Sequence, residues 1–145
     1  MNAQNQKALS TLKSEIEDFT NEDINFSGRT LVVELIDDAL KITDENLPEF
    51  PVFLSTSSDL MVVWTVLMSR DQVPKELHGE IAEILLNANS VTGLSNFSID
   101  EGNYVLSGEL SASSPIEIIF TEIDELMSNT VTGLQIFVEV LNKNK

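Results

Sequence analysis

Phe50-Pro51-Val52-Phe53-Leu54-Ser55, then Thr56-Ser57-Ser58-Asp59, then Leu60-Met61-Val62-Val63-Trp64-Thr65-Val66-Leu67-Met68 is the stretch that decides the fold. Two runs rich in β-branched and aromatic residues flank four small polar ones, which is the pattern of a β-hairpin. Alternation in the second run puts Leu60, Val62, Trp64, Val66 and Met68 on one face and Met61, Val63 and Leu67 on the other. A strand apolar on both faces is normally covered on both sides.

Upstream, Leu31-Val32-Val33-Glu34-Leu35-Ile36 reads as a strand that breaks at Asp37-Asp38, with a short return strand over Leu40 to Thr43. Ala8, Leu9, Leu12, Ile16 and Phe19 recur at helical spacing and define an amphipathic first helix. Downstream, a second helix is expected to start near Asp71, with Pro74 in its first turn, a stripe of Leu77, Ile81, Ile84, Leu85 and Ala88, and Gly93 placed to end it. Phe97 to Ile99, the turn Asp100-Glu101-Gly102-Asn103 and Tyr104 to Leu110 form a second hairpin.

The last helix carries a start signal: Ser114 as N-cap, Pro115 at the first helical position and Glu117 three residues after the cap. Its stripe runs from Ile116 to Leu141, about 40 Å at 1.5 Å per residue. Gly133 is a candidate bend within it. The order is α-β-β-β(-β)-α-β-β-α, which predicts one α+β domain over residues 1–145 with a mainly antiparallel sheet of five to six strands.

Composition narrows the function. The chain has 24 acids against 8 bases, a formal charge of −16, one histidine and no cysteine. Absent cysteine excludes disulfides, thiolate zinc, iron–sulfur clusters and a cysteine nucleophile. The charge disfavours direct binding to nucleic acid or anionic membranes, because each phosphate contact needs a cation. The longest apolar run, Leu60 to Met68, is far short of the about 18 residues of a membrane span, and Met1 to Ser14 contains no signal-like run, so a cytoplasmic protein is expected. From Glu76 to Asn142 there are acids and no Lys or Arg. Such a surface either keeps a small protein soluble or complements a basic partner.

No catalytic constellation emerges. His78 sits on the polar side of the second helix and reads as an exposed histidine, and no Gly-x-Ser-x-Gly or phosphate-loop pattern occurs. The acid pairs Glu22-Asp23, Asp37-Asp38, Asp44-Glu45 and Asp100-Glu101 lack calcium-loop spacing and suit turns and caps. The expectation is therefore a protein without catalytic residues, cofactor or metal. The end of the last helix is different: Leu134, Ile136, Phe137, Val138, Val140 and Leu141 leave only Gln135 and Glu139 polar, and a helix apolar almost all round is normally buried all round.

The element order, small acidic size and long C-terminal helix resemble the fold shared by type III secretion chaperones and YbjN-like proteins. Leu47-Pro48-Glu49-Phe50-Pro51-Val52-Phe53-Leu54-Ser55 and Tyr104-Val105-Leu106-Ser107-Gly108-Glu109-Leu110-Ser111-Ala112-Ser113-Ser114 resemble the YjfI family of bacterial proteins, over roughly Leu31 to Leu141. That family has no established biochemical activity, and its members tend to be encoded beside a phage-shock-protein-A-like, membrane-remodelling coiled-coil protein. The resemblance implies an accessory or adaptor role and carries no catalytic residue over.

Together these readings predict a non-enzymatic protein-binding or adaptor module, expected as a homodimer, with Ile136, Phe137, Val140 and Trp64 as partner contacts. One alternative is a secretion-type chaperone for a client protein. Another is an acidic nucleic-acid mimic that occupies a basic partner through Glu117, Glu122, Asp124 and Glu125.

Overall fold

The computed structural model describes residues 3–20, 29–90, 92 and 95–144. Its elements are α1 (Ala3–Thr20), β1 (Leu31–Ile36), β2 (Ala39–Asp44), β3 (Val52–Thr56), β4 (Leu60–Ser69), α2 (His78–Ala88), β5 (Asn96–Asp100), β6 (Asn103–Ser111) and α3 (Ile116–Lys143). The six strands form one sheet in the order β1-β2-β3-β4-β6-β5, every neighbouring pair antiparallel. Chain direction explains the one break in order. After β4 the chain passes through α2, enters the sheet at its outer edge as β5 and turns back inward as β6.

Turn chemistry sets the hairpin registers. Glu101 and Gly102 have φ of 49° and 80°, so the β5–β6 turn uses two left-handed residues in succession, the conformation whose twist matches flanking strands. Asp37, with φ 51°, serves the same purpose between β1 and β2. A bulge between Val66 and Met68 lets β4 and β6 pair along nearly their whole length.

The helices form one layer over one sheet face. α1 packs on β1 to β3, α3 lies along β3, β4 and β6, and α2 packs on β5 and α3. Buried between the layers are Leu9 and Ile16 of α1, Leu40 and Ile42 of β2, Leu54 of β3, Val63 of β4, Leu106 of β6 and Ile119, Ile123 and Leu126 of α3. Thr65 is the polar residue within this face of β4, and its hydroxyl donates to the Pro51 carbonyl at 2.9 Å, so its burial leaves no orphan.

Four expectations need correction. The α-helix of α2 begins at His78 and not near Asp71, because Pro74 is extended, with ψ 136°, and divides the preceding residues into two 3-10 turns, Arg70–Gln72 and Lys75–Leu77. The cap of α3 is Pro115 itself, also extended and without a side-chain cap bond, so Ser114 lies one residue outside. α3 runs as one helix through Gly133, whose missing Cβ makes room for a neighbour: a Cβ there would lie 2.8 Å from Phe97 Cε1 and 3.2 Å from Leu67 Cδ1. His78 is half-buried, and its Nε2 faces the carbonyls of Val73 (2.9 Å) and Arg70 (3.1 Å), so it donates to them while Nδ1 accepts from Arg70 Nη2 at 3.3 Å. Both ring nitrogens hold the 3-10 turns against α2 and neither is available as a base. Gly93 and the Glu22-Asp23 pair lie outside the described residues.

Candidate partner-binding surface

Three of the four sequence-derived partner contacts sit on α3 or in its neighbourhood, and the fold uses them unequally. Phe137 and Val140 are buried in the chain's own core, Phe137 with its ring 5.0 Å from that of Tyr104. Ile136 is half-buried against the same core. The helix can be apolar almost all round because the sheet lies under it while α1 and α2 flank it. What remains outward along the helix is Ile118, Val131 and Val138. Lys143 ties the end of α3 to α2 through Glu80 at 3.0 Å.

The acidic set is equally divided. Glu117 and Glu125 are exposed. Asp124 accepts from Arg29 Nε at 2.6 Å, and the same guanidinium donates to Asp44 Oδ2 and to Ser128 Oγ, both at 2.9 Å. Burial alone would lower the pKa of Arg29, but the bonds to Asp124 and Asp44 prevail and raise it, so the clamp stays charged. Glu122 does not belong to any acidic surface: it is 1% exposed, both carboxyl oxygens lack a partner among the described residues, and desolvation, reinforced by the charge of Glu125, pushes its pKa up. A phosphate-like array of all four is therefore not formed.

No described element covers the sheet face away from the helices. Its central row, read across the registers, is Glu34, Lys41, Phe53, Trp64, Ser107 and Asn96. Phe53 and Trp64 stack with centroids 5.6 Å apart and planes inclined by 25°. Val62 and Val66 continue the apolar strip along β4, and Val66 is exposed. The two-sided cover expected for β4 is thus supplied on one side only: Met61, Val63, Thr65 and Leu67 face the helices, and no described element covers Trp64.

The two sheet edges differ. At β5 the side chain of Asn89, at the C-terminal end of α2, accepts from the Phe97 N–H at 2.6 Å and donates to the Phe97 carbonyl at 3.1 Å. One carboxamide there satisfies both outward groups of a residue, as a neighbouring strand would, and guards the edge. At β1 no described residue does this for Leu31 to Ile36. β1 has six residues without proline, lysine or bulge, and Val32, Leu35 and Ile36 are all exposed. Asn89 and the unguarded β1 edge were not identifiable from the sequence, since both depend on which strands end the sheet.

Among the described residues no group of three or more His, Asp or Glu converges as a metal site, and no helix is long and apolar enough to cross a membrane. What the surface offers is backbone pairing and apolar contact.

A family model described as "Uncharacterized protein conserved in bacteria (DUF2170)" matches residues 6–141. No curated protein matches the sequence. Among solved structures, the chain is similar to one from a HopA1–SchA chaperone–effector complex, with TM-score 0.61 and 14% identity over 93% of this chain and 98% of that one. It is also similar to a chain from the ExoU–SpcU complex of the type III secretion system of Pseudomonas aeruginosa (TM-score 0.51, 14% identity, 76% and 84% covered) and to one from the Yersinia pestis secretion chaperone SycH with a fragment of YscM2 (TM-score 0.51, 14% identity, 83% and 98% covered). At these identities the likeness establishes the fold: an α+β domain of the type found in type III secretion chaperone complexes.

Proposed function

The chain belongs to the DUF2170 family of proteins conserved in bacteria, and we propose that it is a non-enzymatic protein-binding module that holds an extended segment of a partner by adding it as a strand to the edge of β1, which no described residue pairs with. The single observation carrying this reading is the contrast between the edges: β5 is guarded by Asn89, whereas β1 is an uninterrupted Leu-Val-Val-Glu-Leu-Ile strand that no described residue guards, with Val33 turned into the core and Val32, Leu35 and Ile36 exposed. The complexes in which similar chains occur, a chaperone with an effector and a secretion chaperone with a fragment of another protein, support a protein partner. Chaperone and adaptor are two uses of the same edge. The narrower likeness to the YjfI family would make the module an accessory to a phage-shock-protein-A-like membrane-stress system.

The test is site-specific photo-crosslinking in bacterial cells from p-benzoylphenylalanine placed at Val32, with Val138 as the exposed control on α3. A discrete partner captured from Val32 and not from Val138 is the expected result. Equal capture from both, or from Val138 alone, overturns the assignment.

Self-association is a second reading, favoured by one observation. Leu86 is 68% exposed, the most of any large hydrophobic residue described, and forms with Ala82, Leu85, Phe97 and Ile99 an apolar cleft of about 140 Å³ between α2 and β5. We propose this corner, and not the buried Phe137 and Val140, as the contact of a homodimer. Light scattering coupled to size exclusion should give a dimer that Leu86→Glu converts to monomer, and a wild-type monomer at all concentrations excludes it.

A further inference from the structure

Trp64 has Phe53 on its β3 side. On the side of β6 its cross-strand neighbour is the small Ser107, and the next outward-facing pair along these strands, Val105 and Ser98, is small as well, leaving a hollow of about 450 Å³ bounded by Val62, Trp64, Ser98, Ile99, Asp100, Val105 and Ser107. The hollow therefore combines an aromatic wall, an apolar floor at Val105, two hydroxyls and one exposed carboxylate at its end. No Lys or Arg occurs anywhere from Glu76 to Asn142, so β5 and β6 contribute no cation to it.

We infer that this hollow receives an arginine or lysine side chain of the bound partner, its methylene stem lying against Trp64 and Val105 and its cationic head reaching Asp100. The inference rests on the protein-binding reading above and specifies what the partner must carry. An acidic side chain is repelled by Asp100 and by a chain of charge −16. A purely apolar side chain would cover the Ser98 and Ser107 hydroxyls and the Asp100 carboxylate without giving them a partner. A basic side chain matches all three features: an apolar stem for the indole and the floor, a cation for the Asp100 carboxylate, and donors for the hydroxyl oxygens.

Trp64 is the only tryptophan, so its fluorescence reports on this hollow alone. The folded chain is titrated with Nα-acetyl-arginine amide, and with Nα-acetyl-citrulline amide, which has nearly the same shape and no charge. A saturable change with a midpoint on the order of millimolar is expected for the arginine amide. It should be absent for the citrulline amide, weakened about threefold by Asp100→Asn, and unaltered by Glu117→Gln. A linear, non-saturating response overturns the inference. So does an equal response to citrulline amide, indifference to Asp100→Asn, or saturation by methyl β-glucoside in place of the arginine amide. The probe does not engage β1, so a failure here leaves the crosslinking result at Val32 standing, and a failure there leaves this response interpretable.

Discussion

Gly133→Ala sets two physical effects of opposite sign against each other in the middle of α3. Helix propensity favours alanine by about 1 kcal/mol, and with no packing constraint the substitution would stabilise the protein. The structure puts the new Cβ 2.8 Å from Phe97 Cε1, 3.3 Å from Phe97 Cζ and 3.2 Å from Leu67 Cδ1. The Phe97 ring cannot swing away freely, because its backbone is paired with Leu106 and bonded through both N–H and carbonyl to Asn89, and it is itself buried. Overpacking of this kind costs about 1–3 kcal/mol, which exceeds or cancels the propensity gain. The expected outcome is a net loss of about 1 kcal/mol, or a fall in Tm of about 2–4 °C for a chain of this size. Urea unfolding followed by circular dichroism measures it. In a double-mutant cycle, Phe97→Leu should relieve the clash, making Gly133→Ala favourable in that background. If Gly133→Ala stabilises the wild-type protein by about 1 kcal/mol, the close approach of Phe97 to α3 is refuted.

Three further outcomes follow from the buried polar groups. The raised pKa of Glu122 means that the folded state holds its proton more tightly than the unfolded state, so stability falls as pH rises above the ordinary glutamate range, about 4.3. Glu122→Gln should therefore raise Tm relative to wild type at pH 8 and change it little at pH 4, measured by thermal scans across that range; the reverse order contradicts its burial. Asn89→Ala strips the guard from β5 and leaves the Phe97 N–H and carbonyl without that partner, costing about 1–2 kcal/mol in urea unfolding and increasing self-association in light scattering. Arg29→Met removes the common partner of Asp44, Asp124 and Ser128, and because Asp44 is 4% exposed the loss should be about 2 kcal/mol and little restored by Arg29→Lys, which cannot span three acceptors.

Local patterns were legible in the sequence where local physics decides them. β1 is legible to the residue because a β-branched run ends at two aspartates suited to a tight turn, and the β3–β4 and β5–β6 hairpins follow from alternation and turn residues. The start of α2 is not legible because Pro74 also suits the first turn of a helix, whereas the two 3-10 turns before His78 depend on carbonyls that the imidazole reaches only in the folded chain. The last helix shows an apolar surplus in sequence because its cover comes from α1 and α2, elements far away along the chain. The opposite happened at β4: its two apolar faces suggested cover on both sides, and one is left open around Trp64. Strand order, and with it the identity of the guarded and free edges, is a long-range property that no window of residues encodes.

The most direct measurement is amide hydrogen exchange on the protein alone and on its complex with the partner captured from Val32, followed residue by residue over Leu31–Ile36 and Asn96–Asp100. Strand addition at β1 predicts slowed exchange at alternate amides of Leu31–Ile36, those whose N–H groups point away from β2, with β5 unchanged. Protection confined to β5 or α2, with β1 exchanging as fast as in the free protein, would contradict it.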